Sequence, residues 1–171
     1  MSTSTIETAG GADLEATGAL ENYAAAGLTE AELLALISRT AFAVSLGVRL
    51  ARYGKGEVEL AVPVTQQLRQ HHGFIHGAVI GFAADSACAW SAASVLGDVV
   101  TAEYKLNFLA PAVGEQLIGR GSAMIANVRN AVCRAEIIAV SRGRERLVAM
   151  AQATVTSLPR ARPAKAAGHL E

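Results

Sequence analysis

The chain has 171 residues, 51% of them hydrophobic, and its 15 basic and 15 acidic side chains give a formal net charge of zero. That length supports one domain with a sizeable core, and the charge pattern, with no basic helix and no stripe of alternating basic and aromatic residues, argues against a nucleic-acid partner. Two cysteines, Cys88 and Cys133, form no CxxC or metal-ligand pattern and suit a reducing compartment; with no basic leader before an apolar run and no span of about eighteen uncharged apolar residues, a cytoplasmic protein with no membrane partner is expected.

Residues 1–27 are rich in Ala, Gly and Thr and read as a loosely ordered arm with a short helix around Asp13 to Ala26. The arm is acidic: the first 38 residues hold six carboxylates and no Lys or Arg, which leaves 15 basic against 9 acidic residues in the remainder. That dispersed excess is compatible with an anionic small ligand and is equally what a solvated surface carries. A domain is expected over 28–158, followed by a disordered basic tail over 159–171. Within the domain, Thr29 and Glu32 form a capping box, and Leu33, Leu36, Ile37 and Thr40 make the stripe of a helix ending near Ala43. Gly54 and Gly56 then separate two strands, Leu46 to Arg52 and Glu57 to Val64. In the second, Val58, Leu60 and Val62 alternate with Glu57, Glu59 and Ala61.

The run from Gln70 to Trp90, QHHGFIHGAVIGFAADSACAW, holds the most information. Its helix is nearly all apolar and carries one carboxylate, Asp85. Burying an unpaired carboxylate is costly, so a lone one in such a helix points to chemistry. Gln70, His71, His72 and His76 cluster ahead of the apolar residues, which puts Gly77 near the helix N-terminus, where unpaired N–H groups can polarise a carbonyl. A helix rises about 1.5 Å and turns about 100° per residue, so Gly77 and Asp85 stand about 12 Å apart and Asp85 and His76 lie on opposite faces. One helix cannot aim both at a single atom. If they cooperate, Asp85 meets the Gly77 of a second copy packed antiparallel, and the protein is a homodimer with two shared sites.

After a turn at Gly97 and Asp98, Val100, Ala102, Tyr104, Leu106 and Phe108 alternate with Thr101, Glu103, Lys105 and Asn107 in a strand ended by Pro111. This alternation sets Thr101 opposite the apolar face. Strands at about Glu115 to Val128, Val132 to Val140 and Arg146 to Ser157 follow, with no crossover helix, and are expected to be antiparallel neighbours. The fold class is α+β: a strongly curved antiparallel sheet of five or six strands around one long apolar helix. Small residues at Ala83, Ala84, Ser86, Ala87 and Ala89 suggest room for a bulky or aromatic group, while the methionines and Trp90 read as core. His72 and His76 have a metal-pair spacing, but Gly73 intervenes and no third ligand is near, so no metal is expected.

With HGFIHGAVIGFAAD and VVTAEYKLNFLAPAVGEQL, the order of elements resembles the hotdog-fold acyl-CoA thioesterases of the PaaI type over about Thr40 to Leu158. The resemblance rests on Gln70 six residues before His76-Gly77, Asp85 eight after Gly77, and Thr101 ten before Pro111. It implies hydrolysis of an acyl-CoA thioester with no cofactor, by a dimer or a dimer of dimers. Asp85 would be nucleophile or general base, the Gly77 N–H would stabilise the oxyanion, Gln70 and His76 would line the carbonyl side from the partner subunit, and Thr101 would place water. Ala78 replaces the family's usual second glycine, and Ala89 stands where some relatives carry a hydroxyl. A non-catalytic acyl-CoA-binding domain and a hotdog hydratase or dehydratase are the alternatives. Lys105, Arg129, Arg134 and Arg142 are candidate phosphate contacts, each also readable as a surface charge.

Overall fold

The computed structural model describes residues 27–158; the expected helix at Asp13 to Ala26 and the tail from Pro159 lie outside the described residues. Helix α1 (Glu30–Arg39) starts on the expected capping box. The Thr29 side chain accepts from the Glu32 N–H at 3.3 Å, and the Glu32 carboxylate accepts from the Thr29 N–H at 2.8 Å. The helix stops at Arg39 instead of continuing to Ala43, because Thr40 turns extended and its hydroxyl bonds the Leu36 carbonyl at 3.0 Å. A separate short helix, α2 (Ala41–Ser45), follows. Strand β1 (Arg49–Gly54) begins later than the sequence pattern suggests, since Gly47 at φ +66° turns the chain first.

Strand β2 (Glu57–Pro63) buries Val58, Leu60 and Val62, each worth roughly 1.5–3 kcal/mol of apolar transfer. The central helix α3 (Gly77–Leu96) lies against the sheet, and the chain returns through β3 (Val99–Phe108), β4 (Gln116–Ala126), β5 (Asn130–Ser141) and β6 (Arg144–Ser157). The strand order is β1-β2-β4-β5-β6-β3, six strands and every pair antiparallel. Strands β4 to β6 form the expected meander. Strand β3 pairs with β6 and not with its sequence neighbour β4, which leaves it at the edge of the sheet.

Helix α3 is long and apolar enough to cross a membrane by length and composition, but 83% of its apolar window is buried inside the fold. It approaches the sheet closely where β4 carries glycines beneath it. A Cβ on Gly121 would lie 2.0 Å from the Ala87 carbonyl oxygen, and one on Gly119 would lie 3.0 Å from that of Ala83. Ala83, Ala84 and Ala87 are fully buried in this contact. Ala83 and Ala87 therefore serve helix–sheet packing, which corrects the reading of these two residues as room for an acyl group. Trp90 is in the core as expected, whereas Met124 is 50% exposed on β4.

Candidate active site

The N-terminus of α3 is built by a small hairpin. Arg69 bridges Ile75, the Gln70 N–H donates to the Phe74 carbonyl at 2.8 Å, and the His76 N–H donates to the Leu68 carbonyl at 2.8 Å. His76 is the N-cap residue, and its Nδ1 accepts from the Ala78 N–H at 3.0 Å. The Val79 and Ile80 N–H groups reach the His76 carbonyl at 3.0 and 3.4 Å. Of the first-turn donors, only the Gly77 N–H has no acceptor among the described residues. It opens on a cavity of about 400 Å³ lined by Gln70, Phe74, Ile80, Phe108 and the backbone of Leu109 to Ala112. A free donor at the positive end of a helix dipole, beside an apolar hollow, can bind a carbonyl oxygen and stabilise negative charge that develops on it.

Two turns along the helix, Asp85 is half-buried and accepts a 2.7 Å hydrogen bond from the Thr101 hydroxyl. The carboxylate is thus neither fully buried nor unpaired. Thr101 reaches it because of a β-bulge. The register with β6 runs Thr101 to Val155 and then Glu103 to Thr154, so Ala102 is an extra residue and the alternation resets across it. Thr101 before the bulge and Tyr104, Leu106 and Phe108 after it all face α3, which corrects the period-two expectation that set Thr101 on the opposite face. The Tyr104 hydroxyl lies 3.3 Å from where a Gly81 Cβ would stand, and the Phe108 ring 3.4 Å from where a Gly77 Cβ would stand. Tyr104 and Phe108 are site neighbours that the sequence pattern could not assign, since no residue type announces the bulge.

Cys88, one turn beyond Asp85, is excluded as a nucleophile at neutral pH. Burial, reinforced by Cys133 and Asp85, pushes its thiol up to about 12. His72 does not join His76 in a helical pair, because it sits in the turn before the helix, its ring 3.9 Å from that of His71. The five anticipated residues therefore form two groups in one chain: Gln70, His76 and Gly77 at the helix start, and Asp85 with Thr101 two turns away.

The thioesterase superfamily model matches residues 72–145, the stretch that carries His76, Gly77, Asp85 and Thr101. A thioesterase family protein from Silicibacter pomeroyi is 33% identical, with a TM-score of 0.71 over 72% of this chain and 93% of its own. The chain belongs to the thioesterase superfamily. Its fold is the hotdog fold, shared with the Escherichia coli PaaI protein from the phenylacetic acid degradation operon at 21% identity and a TM-score of 0.69, covering 82% of this chain and 96% of that one. A putative thioesterase described as a phenylacetic acid degradation-related protein, from Ralstonia eutropha, is 25% identical with a TM-score of 0.60, over 68% and 89% of the two chains. The comparison with curated proteins gives no match. Membership supplies the reaction type for which an N–H donor and a hydroxyl-held carboxylate are suited, hydrolysis of a thioester.

Proposed function

We propose that this thioesterase superfamily member hydrolyses acyl-CoA to a free acid and coenzyme A, at a site shared by two copies of the chain. The observation that carries the reading is the separation of the two groups on one helix. An unbonded Gly77 N–H opens on a cavity, and a hydroxyl-held Asp85 stands eight residues, about 12 Å, further along. An antiparallel second copy brings Asp85 of one chain to Gly77 of the other, twice. The edge strand supports such a partner: among the described residues β3 is paired on one side only, and it exposes Val100, Tyr104 and Phe108 at 49%, 44% and 59%.

In this reading the thioester carbonyl oxygen accepts from the Gly77 N–H, and Gln70, whose amide has no side-chain hydrogen bond among the described residues, lines the same cavity. His76 holds the helix start through its bond to Ala78. Asp85 of the partner copy attacks the carbonyl, or takes a proton from a water that does, with the Thr101 hydroxyl fixing the carboxylate and placing that water. Collapse of the tetrahedral species breaks the C–S bond, and the coenzyme A thiolate leaves and takes up a proton; where Asp85 itself attacks, water then hydrolyses the acyl–Asp85 anhydride to the free acid and restores the carboxylate. The protein is then a dimer or a dimer of dimers, and the chemistry needs no cofactor.

The test is release of free thiol from a panel of short, medium, long and aromatic acyl-CoAs, read with a thiol reagent alongside sedimentation. One thiol per acyl group, from an oligomer, is expected. A folded protein that keeps every thioester intact would be an acyl-CoA-binding domain; one that changes the acyl chain and keeps the thioester would be a hydratase or dehydratase. Mixing Asp85→Asn subunits with Gly77→Pro subunits should restore activity that neither has alone, and an active monomer would contradict the shared site.

A further inference from the structure

Beyond the start of α3, the sheet continues past the last residue of β3. Phe108 pairs with Ala149, but β6 extends back to Arg144 and closes with β5 through the Arg142-Gly143 turn. Counted along β5 at about 3.3 Å per residue, because Val148 is an extra residue in β6, Arg146 and Arg144 lie about 7 and 13 Å beyond the level of Phe108 and Gly77, on the side of the helix start away from Asp85. The register pairs them with Ala139 and Ser141. Together with Arg142 they line a polar hollow of about 590 Å³.

Three observations bear on this cluster. Arg142, Arg144 and Arg146 are exposed and make no ion pair among the described residues; Arg39, Arg49 and Arg129 are likewise exposed and unpaired there but stand singly, whereas these three line one hollow. Of the two acidic residues at hand, Glu145 is bound by Arg120 at 2.9 Å and Glu115 accepts from the Arg142 main-chain N–H at 2.7 Å, so the local balance stays positive. Arg142 also holds φ +50°, where Asn or Gly would be less strained, at the first position of a two-residue turn.

The hollow also adjoins the candidate active site. The Leu109 and Ala110 N–H groups both donate to the Val148 carbonyl, at 2.8 and 3.3 Å, two residues from Arg146. Leu109 to Ala112 wall the cavity at Gly77, and Val113, next in the chain, lines the arginine hollow. One loop thus divides the two spaces. A thioester held at the Gly77 N–H can send its thiol substituent over this loop toward the arginines, along an extended pantetheine arm.

We propose that Arg142, Arg144 and Arg146 form the subsite for the phosphates of coenzyme A. The proposal rests on the acyl-CoA reading above and adds to it the residues that recognise the nucleotide end. Forked guanidinium groups around a small hollow suit phosphate oxygens, and three of them suit a ligand that carries a pyrophosphate and a 3′-phosphate.

The experiment compares the full chain with the triple variant Arg142→Gln/Arg144→Gln/Arg146→Gln, checked for an unchanged melting temperature and oligomeric state. Calorimetry with coenzyme A, 3′-dephospho-coenzyme A, ADP and pantetheine reads binding without relying on turnover. The variant should bind coenzyme A about tenfold or more weakly, with a shallower salt dependence, and pantetheine as the wild type does. Its KM for acyl-CoA should rise by the same factor at constant kcat, with hydrolysis of acyl-pantetheine unchanged. Equal affinity of both proteins for coenzyme A, or a wild type that binds none, overturns the subsite, as does ADP binding as tightly as coenzyme A. If no thioester is cleaved yet the variant alone loses coenzyme A, the thioesterase reading falls and the subsite stands.

Discussion

The Ala83–Ala87 row and the Gly81–Asp85 row of helix α3 lie about 160° apart around one axis and are both made of small residues, for opposite reasons. On the sheet side, Ala83 and Ala87 are fully buried and their carbonyls stand over Gly119 and Gly121, so main chain meets main chain. On the β3 side, Gly77 and Gly81 face the tips of Phe108 and Tyr104 and leave space beside a carboxylate. A stripe of small residues is therefore not one signal. Where backbone opposes it, it sets the distance between layers; where side-chain ends oppose it, it leaves room for a ligand.

The strongest break of this comparison is Gly121→Ala. The new Cβ would lie 2.0 Å from the Ala87 carbonyl oxygen, and neither backbone can turn aside, so we expect a loss of about 3 kcal/mol or more in chemical denaturation. On the opposite side, Asp85→Asn should leave the fold intact and lower kcat by about 10² or more; near-normal turnover would remove Asp85 from the mechanism. Thr101→Val keeps the shape and removes the donor at 2.7 Å, and a fall in kcat of about tenfold is expected, with KM little changed.

Alkaline pH probes the buried side more gently. Burial raises the Cys88 thiol to about 12 and the Cys133 thiol to about 11, above the ordinary thiol value of 9.0, so the folded protein holds protons that the unfolded chain releases. Their contribution is complete below about pH 9 and is lost as pH rises from there toward the folded values, at no more than about 1.4 kcal/mol per thiol for each pH unit. Denaturation midpoints should fall between pH 9 and 10, and Cys88→Ala should flatten that slope. The smallest effect is expected from Gly81→Ala. Its Cβ meets the Tyr104 hydroxyl at 3.3 Å and the Leu106 side chain at 3.9 Å, the ends of side chains that can move, so the gain in helix propensity, about 0.5–1 kcal/mol, should raise the melting temperature slightly. A loss as large as that of Gly121→Ala would show that the two sides pack alike.

Much of this contrast cannot be read from residue types. Ala83 and Gly81 look interchangeable in sequence, as do the glycines of β4 and those of the helix, and only the opposing surface distinguishes them. The arginines show the same limit. Arg134 and Arg142 were equal candidates in sequence, and the fold gives Arg134 a carboxylate partner at 3.9 Å while gathering Arg142 with two more unpaired guanidinium groups.

The sequence by itself determined what is local. The capping box at Thr29, the start of α3 at Gly77 and the alternation of β2 follow from spacing and backbone preference within a few residues. It also marked Asp85, because a single charge in an apolar helix is conspicuous. Tertiary structure decided what depends on which surface faces which: the edge position of β3, the bulge at Ala102 that turns Thr101 toward Asp85, and the ring and hydroxyl that Phe108 and Tyr104 hold over the helix glycines. A bulge is one extra residue fitted between two strands far apart in the chain, so its place is set by the pairing of β3 with β6 and leaves no mark in the composition of either.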